Sequence, residues 1–212
     1  NNDYFEIDWT DINTSGGDIR IDNALYFYYG FGESRAPNLT IQSPDNITYI
    51  NESVGFNVSL DSISDWCGFS LDSGSIINMD KYNNTYFNYT KTVEDGRHKV
   101  DFYCNNSLGA TGSASEEFTV DINYPLWYGS GVSNSTPTVG DDVSFWVYWN
   151  DSIELNAWIF SWNASGAWSN VSFDDFSGTN NISNVTLEIP GAASGKTIGY
   201  RFYGNDTSGH VN

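Results

Sequence analysis

The chain has 212 residues, 39% hydrophobic and 17% aromatic, which is enough apolar material for cores of ordinary size, so a disordered chain is not expected. Its 27 acidic residues against 8 basic ones give a net charge of −19, which repels phosphate backbones and leaves no basic stripe for nucleic acid or anionic lipid. The same balance suits a solvated, self-repelling surface, a calcium-attracting acidic surface or a halophilic protein.

No stretch of about eighteen apolar residues is present, so no membrane span is expected in this segment. The chain opens in Asn1-Asn2-Asp3 without a signal peptide and stops at His210-Val211-Asn212 without a terminal motif, which reads as a mature piece or an excised segment.

Residues 1–35 contain two strand candidates, Tyr4 to Trp9 and Ile19 to Tyr29, joined through Ser15-Gly16-Gly17 as a β-hairpin segment. Two strands alone are marginal in water, so this segment is either the end of a jelly-roll domain or an assembly strand. Glu33 to Pro37 is a linker into the first full domain, residues 36–122. Its expected strands are Leu39 to Gln42, Val54 to Leu60, Trp66 to Leu71, Thr85 to Thr92, Lys99 to Cys104 and Ala114 to Asp121, with turn residues every eight to twelve positions. Val54, Phe56, Val58 and Leu60 share one face of a strand, as do Val100, Phe102 and Cys104. Cys67 and Cys104 form the expected structural disulfide, worth roughly 2–4 kcal/mol, with the Trp66 ring expected beside it in the core.

Ile122-Asn123-Tyr124-Pro125 leads with little slack into the second domain, residues 123–212, so the two domains should hold a restricted angle. The strands expected there are Val143 to Trp149, Ala157 to Trp162, Ala167 to Phe173, Val185 to Pro190 and Thr197 to Tyr203. The two domains are copies. Phe102-Tyr103-Cys104-Asn105-Asn106-Ser107-Leu108-Gly109 returns as Phe202-Tyr203-Gly204-Asn205-Asp206-Thr207-Ser208-Gly209, and Phe69-Ser70-Leu71-Asp72-Ser73-Gly74 as Phe160-Ser161-Trp162-Asn163-Ala164-Ser165-Gly166. A repeat near a hundred residues suits tandem sandwiches. In the second copy Trp158 replaces Cys67 and Gly204 replaces Cys104, so a ring over a glycine should fill the disulfide's space. A last strand comparable to Ala114 to Asp121 is missing after Gly209; either the chain continues past Asn212 or a neighbouring molecule supplies that strand. The fold class is therefore all-β: tandem immunoglobulin-like β-sandwiches preceded by the hairpin segment.

The Asn-x-Ser/Thr sequon occurs fifteen times, at Asn13, Asn38, Asn46, Asn51, Asn57, Asn83, Asn88, Asn105, Asn134, Asn150, Asn163, Asn170, Asn181, Asn184 and Asn205. Chance would give roughly five in a chain this rich in Asn, Ser and Thr. Around Asn57, Asn88, Asn170 and Asn184 the middle residue continues an apolar series, so the asparagine points to solvent and can carry a glycan. N-glycosylation places the protein outside the cell, at a cell surface.

Ile19 to Tyr29 resembles the closing strand of galactose-binding-like jelly rolls in carbohydrate-binding modules. Over residues 38–212, the Phe-Tyr-x-Asn-(Asn/Asp)-(Ser/Thr)-x-Gly motif and the upstream Phe-Ser turns resemble the immunoglobulin-like or fibronectin-like repeats of archaeal cell-surface glycoproteins. That resemblance implies a stalk of a surface-layer protein, an adhesin or an extracellular filament.

Reaction chemistry is sparse. Asp174-Asp175 and Glu116-Glu117 are strand neighbours facing opposite ways, which does not make a hydrolytic carboxylate pair. His98 and His210 have no nucleophile or ligand cluster near them in sequence, and no glycine loop, nucleophile elbow or metalloprotease helix occurs. Neither catalytic nor metal residues nor a cofactor are expected beyond covalent glycans; bound calcium is the one candidate, with Asp61, Asp65, Asp72, Asp141 and Asp142 as loop acids outside any EF-hand. Trp127, Tyr128, Trp149, Trp162 and Trp168 exceed what one small core needs and could stack on sugars. The expected function is a structural component of an N-glycosylated extracellular filament or surface layer whose partners are copies of itself, joined head to tail by strand addition. The alternative is a carbohydrate-binding adhesin.

Overall fold

The structure is a computed structural model and describes residues 35–212. The expected hairpin of residues 1–35 lies outside the described residues except for Arg35.

The first set of strands is β1 (Leu39–Ser43), β2 (Thr48–Tyr49), β3 (Ser53–Leu60), β4 (Trp66–Leu71), β5 (Ile77–Asn78), β6 (Asp80–Asn83), β7 (Tyr86–Thr92), β8 (Gly96–Asn105) and β9 (Thr111–Val120). They make a four-stranded sheet, β1-β3-β7-β6, and a five-stranded sheet, β2-β9-β8-β4-β5. Alternation drives the packing: Val54, Phe56 and Val58 on β3 are fully buried, while the residues between them are half-exposed. Phe56 stacks on Phe69 of the opposite sheet, with centroids 4.4 Å apart and planes within 6°. The six expected strands are all present; β2, β5 and β6 are two to four residues long, too short to show a period.

The second set is β10 (Leu126–Val132), β11 (Asp142–Asn150), β12 (Leu155–Trp162), β13 (Ser169–Asp175), β14 (Asn180–Glu188) and β15 (Tyr200–Asp206), in sheets β10-β11-β14 and β13-β12-β15. Val143, Phe145, Val147 and Trp149 point inward as expected. Phe145 meets Phe160 across the layers at 5.1 Å, the counterpart of the Phe56–Phe69 contact. Each sandwich has its own cluster of buried residues.

Register supports the internal repeat. Phe69 pairs with Phe102 and Cys67 with Cys104 in the first copy; Phe160 pairs with Phe202 and Trp158 with Gly204 in the second.

Three expectations need correction. First, the Trp66 ring is not in the core. It alternates out of the sheet, is half-exposed, and donates its Nε1–H to Asn78 at 2.9 Å. Second, β14 spans Asn180–Glu188 rather than Val185 to Pro190, and β15 spans Tyr200–Asp206 rather than Thr197 to Tyr203. The polar run Asn180 to Asn184 hides the start of β14, and Pro190 opens a 3-10 turn, Gly191–Ala193, by accepting the Ala193 N–H. Before β15, Asn163 Oδ1 ties off the Gly199 N–H at 2.8 Å. Third, β10 was not foreseen. Its Gly-Ser-Gly run carries no alternating apolar signal, and Gly131 is needed because the Trp146 ring lies on that strand, where a Cβ would come within 2.3 Å of it.

Candidate functional site

Fourteen of the sequon asparagines fall among the described residues and none is buried. Asn38, Asn46, Asn51, Asn83, Asn134, Asn170 and Asn184 are exposed; Asn57, Asn88, Asn105, Asn150, Asn163, Asn181 and Asn205 are half-buried. Asn57 and Asn88 face each other across β3 and β7. At Asn150 and Asn181 the amide nitrogen that would carry a glycan already donates hydrogen bonds, to Thr179 O and Asn180 Oδ1 and to Ser177 O.

Cys67 and Cys104 are disulfide-bonded between the adjacent strands β4 and β8 of one sheet. In the second copy the ring over Gly204 comes from Trp149 on β11, not from Trp158: a Cβ on Gly204 would lie 2.9–3.0 Å from the Trp149 indole. Trp158 is buried nearby against Phe202 at 5.9 Å. The aromatic replacement therefore spans the two layers, whereas the disulfide stays within one.

The tryptophans divide by burial. Trp149 and Trp162 are core residues, while Trp127, Tyr128 and Trp168 are exposed. The Trp168 face is covered by the Arg201 guanidinium at 3.8 Å. Trp127 lines a cleft of about 300 Å³ with Ser130 on β10, Val147 and Trp149 on β11, and Tyr200, Arg201 and Phe202 on β15. Both β10 and β15 are edge strands. In the first sandwich the corresponding side of β8 is covered along its length by β9; here, among the described residues, that side of β15 meets only a bridge from Asn205 to Val211.

The junction between the sandwiches gathers acids from distant parts of the chain. Asp121 follows β9, Asp151 follows β11, and Asp206 ends β15; all three are buried, at 0%, 3% and 1% exposure. Ligand atoms of Asp121, Asp206 and His210 all lie within 4.8 Å of one another. Asp206 Oδ1 accepts the N–H groups of Ser208 and His210, and its Oδ2 faces His210 Nδ1 at 3.0 Å. Asp151 Oδ1 accepts the Ile153 and Glu154 N–H groups, and Asp121 Oδ2 accepts the Ser208 hydroxyl. That leaves Asp121 Oδ1 and Asp151 Oδ2 buried with no hydrogen-bond partner. Burial pushes the Asp121 carboxyl up; Ser208 pulls it back, and the charges of Asp206, Asp151 and Asp95 push it up further. Asp95 is also buried in part, which opposes its charge, but hydrogen bonds from Ser152, the Ile122 N–H and Asn123 hold it below the usual carboxylate range. Tyr124 packs on His210 at 4.9 Å and Asn212 donates to Pro125 O, so the link between the sandwiches is held by direct contacts.

His210, expected to stand alone, is thus part of a cluster. The loop acids named as calcium candidates do not converge. Asp61 holds Arg35 and the Asn38 N–H, Asp72 holds His98 and the Lys99 N–H, and Asp141 holds Thr138. Asp174, Asp175 and Glu117 are exposed and Glu116 half-buried. Among the described residues no helix is long and apolar enough to cross a membrane.

No family model matches the chain, and no curated protein matches it. Solved structures do. Titin domains A168-A170 align over 84% of this chain and 63% of theirs, at 12% identity and a TM-score of 0.48. The N-terminal eight Ig domains of Down Syndrome Cell Adhesion Molecule align over 84% of this chain and 27% of theirs, at 15% identity and a TM-score of 0.47. A fibronectin(III)-like module of Clostridium thermocellum CbhA aligns over 39% of this chain and 94% of its own, at 19% identity and a TM-score of 0.33.

Proposed function

We propose that the chain is an N-glycosylated, extracellular structural segment of a cell-surface filament or surface layer, whose copies join by donating a strand. The observation behind this reading is the cleft between β10 and β15, where the second sandwich leaves buried Val147 and Trp149 reachable beside an unpaired strand edge. A strand placed there would add to β15 as β9 adds to β8, with alternate side chains entering the cleft. Ile19, Ile21, Leu25 and Phe27 share one face of the Ile19 to Tyr29 segment, interrupted by Asn23, so that segment of another copy is the donor we assign.

Removing residues 1–35 should then stop polymer growth, seen by electron microscopy, while circular dichroism still reports folded sandwiches. Fibres that grow unchanged reject the donor; a strand following Asn212 in a longer chain would then fill the same cleft. Binding of sugars on a glycan array, lost on Trp127→Ala, would instead favour the adhesin reading.

The extracellular assignment rests on the sequons, which stand in accessible positions on both sandwiches. Intact-mass measurement of native material should show glycan on most of the exposed sites, with Asn150 and Asn181 the least occupied because their amide nitrogens are engaged. Bare asparagines throughout would remove the main support.

A further inference from the structure

We propose that the junction between the two sandwiches binds one hard divalent cation, Ca2+ by its ligand chemistry, through the carboxylate oxygens of Asp121 and Asp206, with the charge of the neighbouring Asp151 carboxylate drawing the ion in. The proposal does not depend on how copies of the chain join.

The first ground is unbalanced charge. Asp121 and Asp206 have ligand atoms within 4.8 Å of each other, the buried Asp151 is near enough for its charge to act on Asp121, and among the described residues the one ion pair of the three is His210 with Asp206. Burying carboxylates together without compensation is costly. A shared proton does not resolve it. If Asp121 carries a proton on the oxygen facing Ser208, its Oδ1 is still buried without a partner, and so is Asp151 Oδ2. Two carboxylate oxygens with nothing to accept from, beside a third carboxylate, make an oxygen-donor set for a cation.

The internal repeat supplies a second, independent ground. Asn106 and Asp206 hold the same turn in the two copies: Asn106 Oδ1 accepts the N–H groups of Leu108 and Ala110, as Asp206 Oδ1 accepts those of Ser208 and His210. In the first copy the other side-chain atom, Asn106 Nδ2, donates to Arg35 O in the preceding segment. Asp61, just after β3, meets the Arg35 guanidinium at 2.8 Å. In the second copy the preceding segment offers Asp121 instead of an arginine, the turn offers a carboxylate instead of an amide, and Asp151 stands just after β11. The Arg35 guanidinium and the Asn106 amide of the first copy are thus replaced by the acceptors Asp121 and Asp206, and the Ser208 hydroxyl and His210 ring that face them leave Asp121 Oδ1 and Asp151 Oδ2 without a partner. A bound cation would do at the junction what Arg35 does at the start of the first sandwich.

The donors choose the ion. Asp121 and Asp206 are carboxylates, which suit Ca2+, and His210, although within 4.8 Å of both, has its Nδ1 turned to Asp206 and its ring on Tyr124. Asp121 comes from the first sandwich and Asp151 and Asp206 from the second, so the ion would clamp one to the other.

The test is calorimetric titration of the whole EDTA-treated protein with Ca2+. We expect one saturable site with a Kd of about 10⁻⁴ to 10⁻³ M, as in other extracellular modules. Ca2+ at about ten times Kd should raise the melting temperature by about 5 °C. Asp121→Asn and Asp206→Asn should abolish both effects, yet Asp121→Asn should melt in EDTA no lower than the parent, because it removes a buried like charge, whereas Asp206→Asn also loses the His210 pair. Asp151→Asn, which keeps the oxygen that holds Ile153 and Glu154, serves as a further variant should either of these fail to fold. Absence of Ca2+ heat would overturn the proposal, as would binding that survives in all three variants, which would put the ions on the acidic surface. Zn2+ binding without Ca2+ binding would also overturn it, since His210 would then be a ligand.

Discussion

Trp149→Ala is expected to destabilise the second sandwich by about 4 kcal/mol or more, because three separate contributions are lost together. The indole is 1% exposed, so its removal leaves a large cavity in the core. Its Nε1–H donates to Ser183 Oγ at 2.8 Å, and Ser183 is fully buried, so the hydroxyl loses its partner. The ring also fills the space above Gly204 and lies 6.0 Å from Phe176. The converse change is informative. Gly204→Ala pushes a Cβ to 2.9–3.0 Å from the ring, which cannot retreat without losing Ser183, and should cost about 1–3 kcal/mol. Combined with Trp149→Ala, the alanine at position 204 should cost much less, a coupling that a double-mutant cycle in urea measures directly. Equal costs in the two backgrounds would show that the ring does not occupy that place.

Loss of the disulfide, by Cys67→Ala with Cys104→Ala, should destabilise the first sandwich by about 4 kcal/mol in the chain-entropy account, since the bond closes a loop with a sequence separation of 37. The effect should be confined to that sandwich. Calorimetry with and without reductant should move one transition and leave the other in place, because the second copy has no cysteine. Under mechanical load the same bond should withhold 37 residues from extension, about 125 Å at 3.4 Å per residue, and single-molecule pulling with reductant should restore that length. A first sandwich that melts unchanged after reduction would contradict the account.

Much of the fold was legible because alternation is a strong signal where one strand face is buried. Val54 to Leu60 and Val143 to Trp149 show it plainly, and the repeated motifs matched Phe69 with Phe160 and Phe102 with Phe202, residues that the register then pairs within each copy as Phe69 with Phe102 and Phe160 with Phe202. Strand β10 was hidden because its two glycines break the strand pattern, although Gly131 is there to admit the Trp146 ring and Gly129 lies against Tyr148. Asp121, Asp151 and Asp206 were hidden for another reason: they stand thirty or more residues apart and meet only when the sandwiches abut. One clue was in plain view. The repeat carries Asn106 in one copy and Asp206 in the other, a change from amide to acid at a turn.

The disulfide links β4 to β8, neighbours that already share backbone hydrogen bonds in one sheet. It therefore does nothing to stop delamination. Prising the two layers of either sandwich apart is resisted by ring-on-ring adhesion, Phe56 on Phe69 in one and Phe145 on Phe160 in the other. Agents that weaken apolar adhesion should peel both sandwiches alike, whatever the state of the sulfurs.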